Sequence, residues 1–181
     1  LSIVVVGIAV ALMLISPELV LIFGSPKYRE AVYVIPPVAA SVFFIFIYNI
    51  LSMPQFYYEK TQFLMAASMA AAGANVVLNF IFIRLFGYIA AGYTTLACYM
   101  LYSVGHYIVS KRILVNEGIQ ENLMSPGFLV ACSVFLIGAS IICNLIFPYR
   151  ILRYAILLAS AGLVFWKKEL LLKTMADIRK K

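Results

Sequence analysis

Long apolar runs dominate the chain, broken at intervals by short clusters of glycine, proline and charged residues. A helix needs about 20 apolar residues to cross a hydrocarbon core about 30 Å thick. By that measure the sequence predicts an all-α, polytopic transmembrane helix bundle of about six spans, over residues 1–23, 31–56, 62–83, 88–110, 127–147 and 151–166. The last is short and borrows a turn at either end. The connections carry helix-stop chemistry: Gly24-Ser25-Pro26-Lys27, Glu59-Lys60, Arg84 to Gly87, and Pro148-Tyr149-Arg150. Only residues 111–126 form a long loop, in which Ile113, Leu114, Ile119, Leu123 and Met124 sit amid polar residues. That pattern fits either a short helix lying on the membrane surface or a solvated loop.

The polar residues inside the spans are not scattered. Positions three, four or seven apart share one face of a helix. On that rule Ser41, Tyr48, Ser52 and Gln55 align in the second span, and Ser68, Asn75 and Asn79 in the third, with Thr61 preceding them. Thr95, Tyr99, Tyr102 and His106 align in the fourth, and Ser133, Ser140 and Asn144 in the fifth. Polar groups in hydrocarbon must find partners, so these stripes point at neighbouring helices or at a water-filled cavity. Spans one and six lack a stripe and are expected to face more lipid. The third span carries Ala66, Ala67, Ala70, Ala71, Ala72, Gly73 and Ala74, a run that admits a close neighbour and predicts this span as the centre of the bundle. Pro17, Pro36, Pro37 and Pro54 lie within or near span ends and predict kinks, either static bends or hinges.

Composition places the solvent. Of 181 residues, 65% are apolar or aromatic and 12% charged, and the mean hydropathy is +1.02. A soluble domain of this size has too little interior for that much apolar surface. The net charge of +7 is a topological marker. Lys60, Lys111, Arg112 and the tail residues Lys167, Lys168, Lys173, Arg179, Lys180 and Lys181 fall on one side of the expected bundle, while Lys27, Arg29, Arg84, Arg150 and Arg153 fall on the other. The side with more basic residues is assigned to the cytoplasm, which puts both ends of the segment inside. The chain thus divides into a membrane domain, 1–166, and a basic amphipathic cytoplasmic tail, 167–181. In that tail Leu171, Met175 and Ile178 share a face suited to anionic lipid headgroups. No aromatic interleaving or recognised motif suggests nucleic acid as a partner. The start at Leu1, without Met or a basic leader, suggests part of a longer protein.

Covalent chemistry lacks its usual parts. The sole Asp is Asp177 in the tail, the sole His is His106, and of six Glu only Glu18 is embedded in an apolar stretch. No carboxylate pair assembles in the bilayer, and Gly138-Ala139-Ser140 has no oxyanion motif after it. The expectation is no enzyme, no catalytic or metal-binding residues and no cofactor, a coupling cation such as H⁺ or Na⁺ excepted. Cys98, Cys132 and Cys143 lie in apolar runs and read as small buried hydrophobes. His106 fits a hydrogen-bonded residue near the cytoplasmic end of its span, a proton-coupling group or a headgroup ligand. Glu18 fits an outer-interface position or a cation site.

Several stretches together match a known pattern. They are Phe23-Gly24-Ser25-Pro26-Lys27-Tyr28 with Ala31 after it, the Lys60 turn, Asn75-Val76-Val77-Leu78-Asn79, and Phe86-Gly87-Tyr88-Ile89-Ala90-Ala91-Gly92 with Thr94-Thr95. Over residues 1–110 the chain resembles the polysaccharide (O-antigen, Wzx-type) flippases of the multidrug/oligosaccharidyl-lipid/polysaccharide exporter superfamily, in their carboxyl-terminal half. From 111 onward it fits chiefly by hydropathy. The resemblance implies a transporter of two six-helix lobes that rock to expose a central cavity to alternate sides of a bacterial inner membrane. The implied cargo is a sugar repeat on an undecaprenyl pyrophosphate carrier, and the implied partner is a preceding amino-terminal half of the same transporter. Two features depart from the family: no Lys or Arg lies mid-span, and Ala90-Ala91-Gly92 stands where Gly-Ala-Ala is typical. A different cargo within the superfamily, such as lipid II or a drug exchanged for a cation, and a non-transporting membrane scaffold are the alternatives.

Overall fold

Pro17 sits inside the first helix, where its missing N–H leaves the carbonyl of Met13 without a helical donor. Ser16 supplies one. Its hydroxyl donates to Met13 O at 2.7 Å, and the serine is fully buried. In this way α1 runs unbroken over Ser2–Phe23 in the computed structural model, which describes residues 1–119 and 123–166. A 3-10 segment, Pro26–Tyr33, leads to α2, Ile35–Tyr57. There follow α3, Gln62–Phe86, α4, Ala90–Asn116, α5, Pro126–Ile146, and α6, Arg150–Trp166. All regular structure among the described residues is helical. The basic tail expected at 167–181 lies outside the described residues.

Four of these helices, α1, α2, α3 and α5, are long and apolar enough to cross a membrane. The helix α4 is longer, at 27 residues, but its threonines, tyrosines and His106 keep it out of that set. The described part of α6 has 17 residues. The chain divides into two units, Leu1–Asn144 and Leu145–Lys181, and the second is represented by α6. Within α6, the Arg153 guanidinium lies 5.2 Å from the ring centre of Tyr154.

In the first unit α4 packs along α2 and then α3, and α1 packs on α2. This overturns the expectation that the third span forms the centre. No residue of α3 is buried, whereas α4 buries ten, including Leu96, Ser103, His106 and Ser110. The sequence run of small residues pointed to α3, but α4 has the closest approach. A Cβ on Gly92 would stand 2.7 Å from Pro37 Cγ and 2.9 Å from Val34 O, so glycine is what lets the starts of α4 and α2 meet. Gly73 in α3 has open space around it. Nor is α1 left bare, since Ala9, Met13, Leu14 and Ser16 are buried.

The prolines divide by position. Pro36 and Pro37 occupy the first turn of α2, where no donor is required, and do not kink it. Pro54 lies inside the last turns of α2 and withholds a donor from Ile50 O. Around that gap, Ser52 donates to Asn49 O at 2.9 Å and Ser110 of α4 donates across to Leu51 O.

The long loop expected from residue 111 begins later. Lys111 and Arg112 do not stop a helix, and Ile113 and Leu114 are buried, so α4 continues to Asn116. Its end comes at Gly118, with φ of 79°, where Ile119 N–H caps Leu114 O at 2.9 Å. Each end of this unit has a polar tie. Lys60 pairs with Glu117 at 3.3 Å at one end, and Tyr88 donates to Glu30 at 2.9 Å at the other. Lys60, Lys111 and Arg112 therefore gather at one end, as the sequence suggested.

Gly92→Ala is expected to destabilise the bundle by about 1–3 kcal/mol through forced separation of α4 from α2. Gly73→Ala should be neutral or stabilise by up to about 1 kcal/mol. Denaturant unfolding in detergent micelles measures both. Equal effects at the two glycines would overturn this account of the α2–α4 contact.

Candidate functional site

The α3 and α4 stripes meet across a shared cavity. Its volume is about 460 Å³, and Tyr48 of α2 closes one side. Ser68, Ala71, Ala72, Asn75 and Val76 line it from α3, and Thr95, Cys98, Tyr99 and Tyr102 from α4. Six of the polar positions expected from helical spacing thus face one space: Tyr48, Ser68, Asn75, Thr95, Tyr99 and Tyr102. The alanines of α3 serve here as short walls. Ala71 and Ala72 leave room that longer side chains would fill.

Hydrogen bonds hold the lining in place. The hydroxyl of Ser68 donates its single hydrogen to Leu64 O at 2.8 Å, so the 2.7 Å contact with Tyr102 has the phenol as donor. Asn79 donates to Asn75 Oδ1 at 2.9 Å and accepts from the Thr94 hydroxyl. Asn75 in turn reaches Thr95 Oγ1 at 3.5 Å. The rings of Tyr48 and Tyr99 are nearly parallel, at 7° with centres 6.4 Å apart, and Tyr102 stands edge-on to Tyr48 at 4.7 Å. Among the described residues the lining offers three phenols, the Asn75 amide, the Ser68 and Thr95 hydroxyls, the Cys98 thiol and the apolar Ala71, Ala72 and Val76, and no carboxylate, ammonium or guanidinium.

Tyr102 also meets the ring of His106, edge-on at 4.4 Å. His106, Gln55 and Ser110 form a fully buried polar cluster in the α2–α4 seam. Gln55 Nε2 lies 2.8 Å from His106 Nδ1 and 3.0 Å from Ser110 Oγ. Gln55 Oε1 and His106 Nε2 have no hydrogen-bond partner among the described residues.

The remaining expected positions do other work. Ser41 donates to Val38 O, Ser52 to Asn49 O and Ser133 to Leu129 O, each within its own helix. Ser140 is fully buried away from the cavity lining. Asn144 ties α5 to its neighbours, donating to Tyr93 Oη at 2.9 Å and to Tyr33 O at 3.3 Å. Three participants escaped the stripe pattern: Thr94, Ser103, whose hydroxyl lies 2.7 Å from Tyr99 O in its own helix and 3.1 Å from Phe44 O across the helices, and Ser110. Extending the fourth stripe four residues past His106 would have found Ser110, and a step of four in place of three from Tyr99 would have found Ser103. Thr94 has no such signal, because it sits beside the stripe.

A second cavity, of about 380 Å³, lies between α2, α4 and α5 and is apolar almost throughout. Phe43, Phe44, Ile47 and Leu51 form its α2 wall, and Leu129, Val130, Val134 and Ile137 its α5 wall. One helix, α4, therefore presents a polar face to one cavity and an apolar face to the other.

The described residues thus define an all-α bundle with four helices long and apolar enough to cross a membrane, and a cavity lined by polar and apolar side chains of α2, α3 and α4. No protein-family model, curated protein or solved structure matches the chain.

Asn79→Ala should cost about 1–2 kcal/mol of stability, because it removes the joint between α3 and Thr94 of α4. A Ser68→Ala and Tyr102→Phe double-mutant cycle should give a coupling of about 0.6 kcal/mol. Unfolding titrations of the purified protein measure both. Wild-type stability in Asn79→Ala would show that the network does not hold α3 to α4.

Proposed function

We propose that this chain is the carboxyl-terminal part of a bacterial inner-membrane flippase that moves a lipid-linked oligosaccharide by alternating access, without covalent chemistry. The observation that carries the proposal is the cavity of about 460 Å³, on which polar faces of α2, α3 and α4 converge. A sugar has apolar C–H faces and many hydroxyls. Phenol rings suit the faces, and amides and hydroxyls both donate to and accept from the hydroxyls. A lining of phenols, an amide and hydroxyls, in a bundle with helices long and apolar enough to cross a membrane, suits that chemistry. The resemblance of residues 1–110 to Wzx-type flippases supports the same reading. On this proposal both ends of the segment are cytoplasmic. Basic groups for the carrier pyrophosphate come from a preceding half of the transporter, since none lines this cavity.

The complete protein reconstituted in vesicles tests this directly. Tyr48→Ala and Tyr99→Ala are expected to slow sugar-lipid movement tenfold or more, by about 1.4 kcal/mol of lost binding or greater. In a Cys98→Ser background, Asn75→Cys and Tyr102→Cys should react with water-soluble thiol reagents and be shielded by cargo, while Ser52→Cys stays unreactive. Drug-driven proton or sodium exchange without sugar-lipid movement would sink the proposal. Failure of reagents to reach either cavity position under any condition would favour a scaffold.

A further inference from the structure

We propose that Gln55, His106 and Ser110 form a proton-binding site whose occupancy switches the hydrogen bond holding α4 to α2. The site deepens the transport reading in what the proton would drive, but its geometry stands alone. Gln55 presents its amide N–H groups to His106 Nδ1 at 2.8 Å and to Ser110 Oγ at 3.0 Å. A nitrogen that accepts there carries a lone pair, so the ring is neutral with its hydrogen on Nε2. That Nε2–H is buried without a partner among the described residues, as is Gln55 Oε1. Each unpaired group is costly in a fully buried setting. The arrangement is therefore poised to exchange for another.

A proton added at Nδ1 turns the acceptor into a donor facing the amide N–H. Half a turn of the nearly isosteric amide brings Oε1 to that position, where it accepts from Nδ1–H in a charge-assisted bond. Oε1 then also lies within reach of Ser110 Oγ. The single hydrogen of Ser110 now goes to Leu51 O across the seam. Once it turns to Oε1, Leu51 loses its donor from α4, one residue after Ile50, whose own helical donor Pro54 withholds. Protonation thus moves the tie from α4 off the backbone of α2 and onto the Gln55 side chain, at the turn where α2 already lacks a helical bond.

The cavity feels the change through Tyr102, which touches the His106 ring, and through Tyr48, with its ring centre 5.8 Å away. These two phenols are the titratable groups against the imidazole from α2 and α4, and α3 contributes the uncharged Phe63 at 5.5 Å. Glu59 and the exposed Lys60–Glu117 pair lie at this end of the bundle, with Lys111 and Arg112 exposed on the next turn of α4. A proton suits the site better than sodium, because Gln55 offers N–H groups inward where a metal cation needs oxygens.

His106 is the sole histidine of the chain, so ¹⁵N-histidine NMR of the complete protein in bilayers reports this ring alone. The expected result is a neutral Nε2–H ring at high pH and one transition to imidazolium as the pH is lowered. A fluorine label on Tyr102 should follow with the same midpoint. Gln55→Leu removes the acceptor and should lower the midpoint by about one unit or more. Ser110→Ala should leave the ring titrating while changing the Tyr102 response. A ring that stays neutral down to the acid limit of folding, a Tyr102 label that ignores the transition, or a ring that answers to sodium at fixed pH overturns the proposal. The first and last are read on the unaltered protein, so a variant that fails to fold does not decide the matter. Loss of sugar-lipid movement in vesicles would remove the transport reading and leave a titrating ring standing. A silent ring with intact movement would do the reverse.

Discussion

A polar side chain set among apolar helices has no water to fall back on, and its hydrogen bonds must be made within the protein. The first unit is arranged around that constraint. Ser16 serves the carbonyl abandoned by Pro17. Ser110 crosses from α4 to the Leu51 carbonyl of α2, and the Ser103 hydroxyl sits between Tyr99 O of its own helix and Phe44 O of α2. Asn79 joins Asn75 to Thr94 and so α3 to α4. Apolar contact alone discriminates poorly between helix faces in lipid, because lipid tails are as apolar as leucine. These bonds therefore choose which faces meet.

The same constraint explains what the sequence made legible. Helix existence and approximate bounds follow from apolar run length and stop residues, and the six helices appear where those signals lie. The stripes were readable because 3.6-residue periodicity is a property of one helix, and Tyr48, Asn75 and Tyr102 reach a common cavity as their spacing allowed. Partner choice was not readable. Ser41 and Ser52 look like Gln55 by position, yet each turns back to its own helix while Gln55 crosses to α4. A short hydroxyl reaches its own i−3 or i−4 carbonyl easily, whereas the longer amide reaches another helix.

The exchange of roles between α3 and α4 has a similar cause. Small residues permit close packing but do not compel it. The run in α3 lines a cavity and an open face, while in α4 glycine at position 92 and the serines at 103 and 110 fall where α2 crosses. A tally of alanines could not separate these outcomes. The positions of neighbouring bulk, Pro37 and Val34 above all, decide them.

The extension of α4 to Asn116 makes this helix 27 residues long, or about 40 Å at 1.5 Å per residue. Were it to cross a hydrocarbon core of about 30 Å upright beside α2 and α3, it would overshoot by roughly two turns. The surplus must tilt the helix or stand in the headgroup layer with Lys111 and Arg112 exposed upon it. Bilayer thickness and surface charge would then act on a helix that, like α2, borders both cavities. A thinner or more anionic membrane would change the inclination of α4, and with it the relative opening of its wet and dry sides.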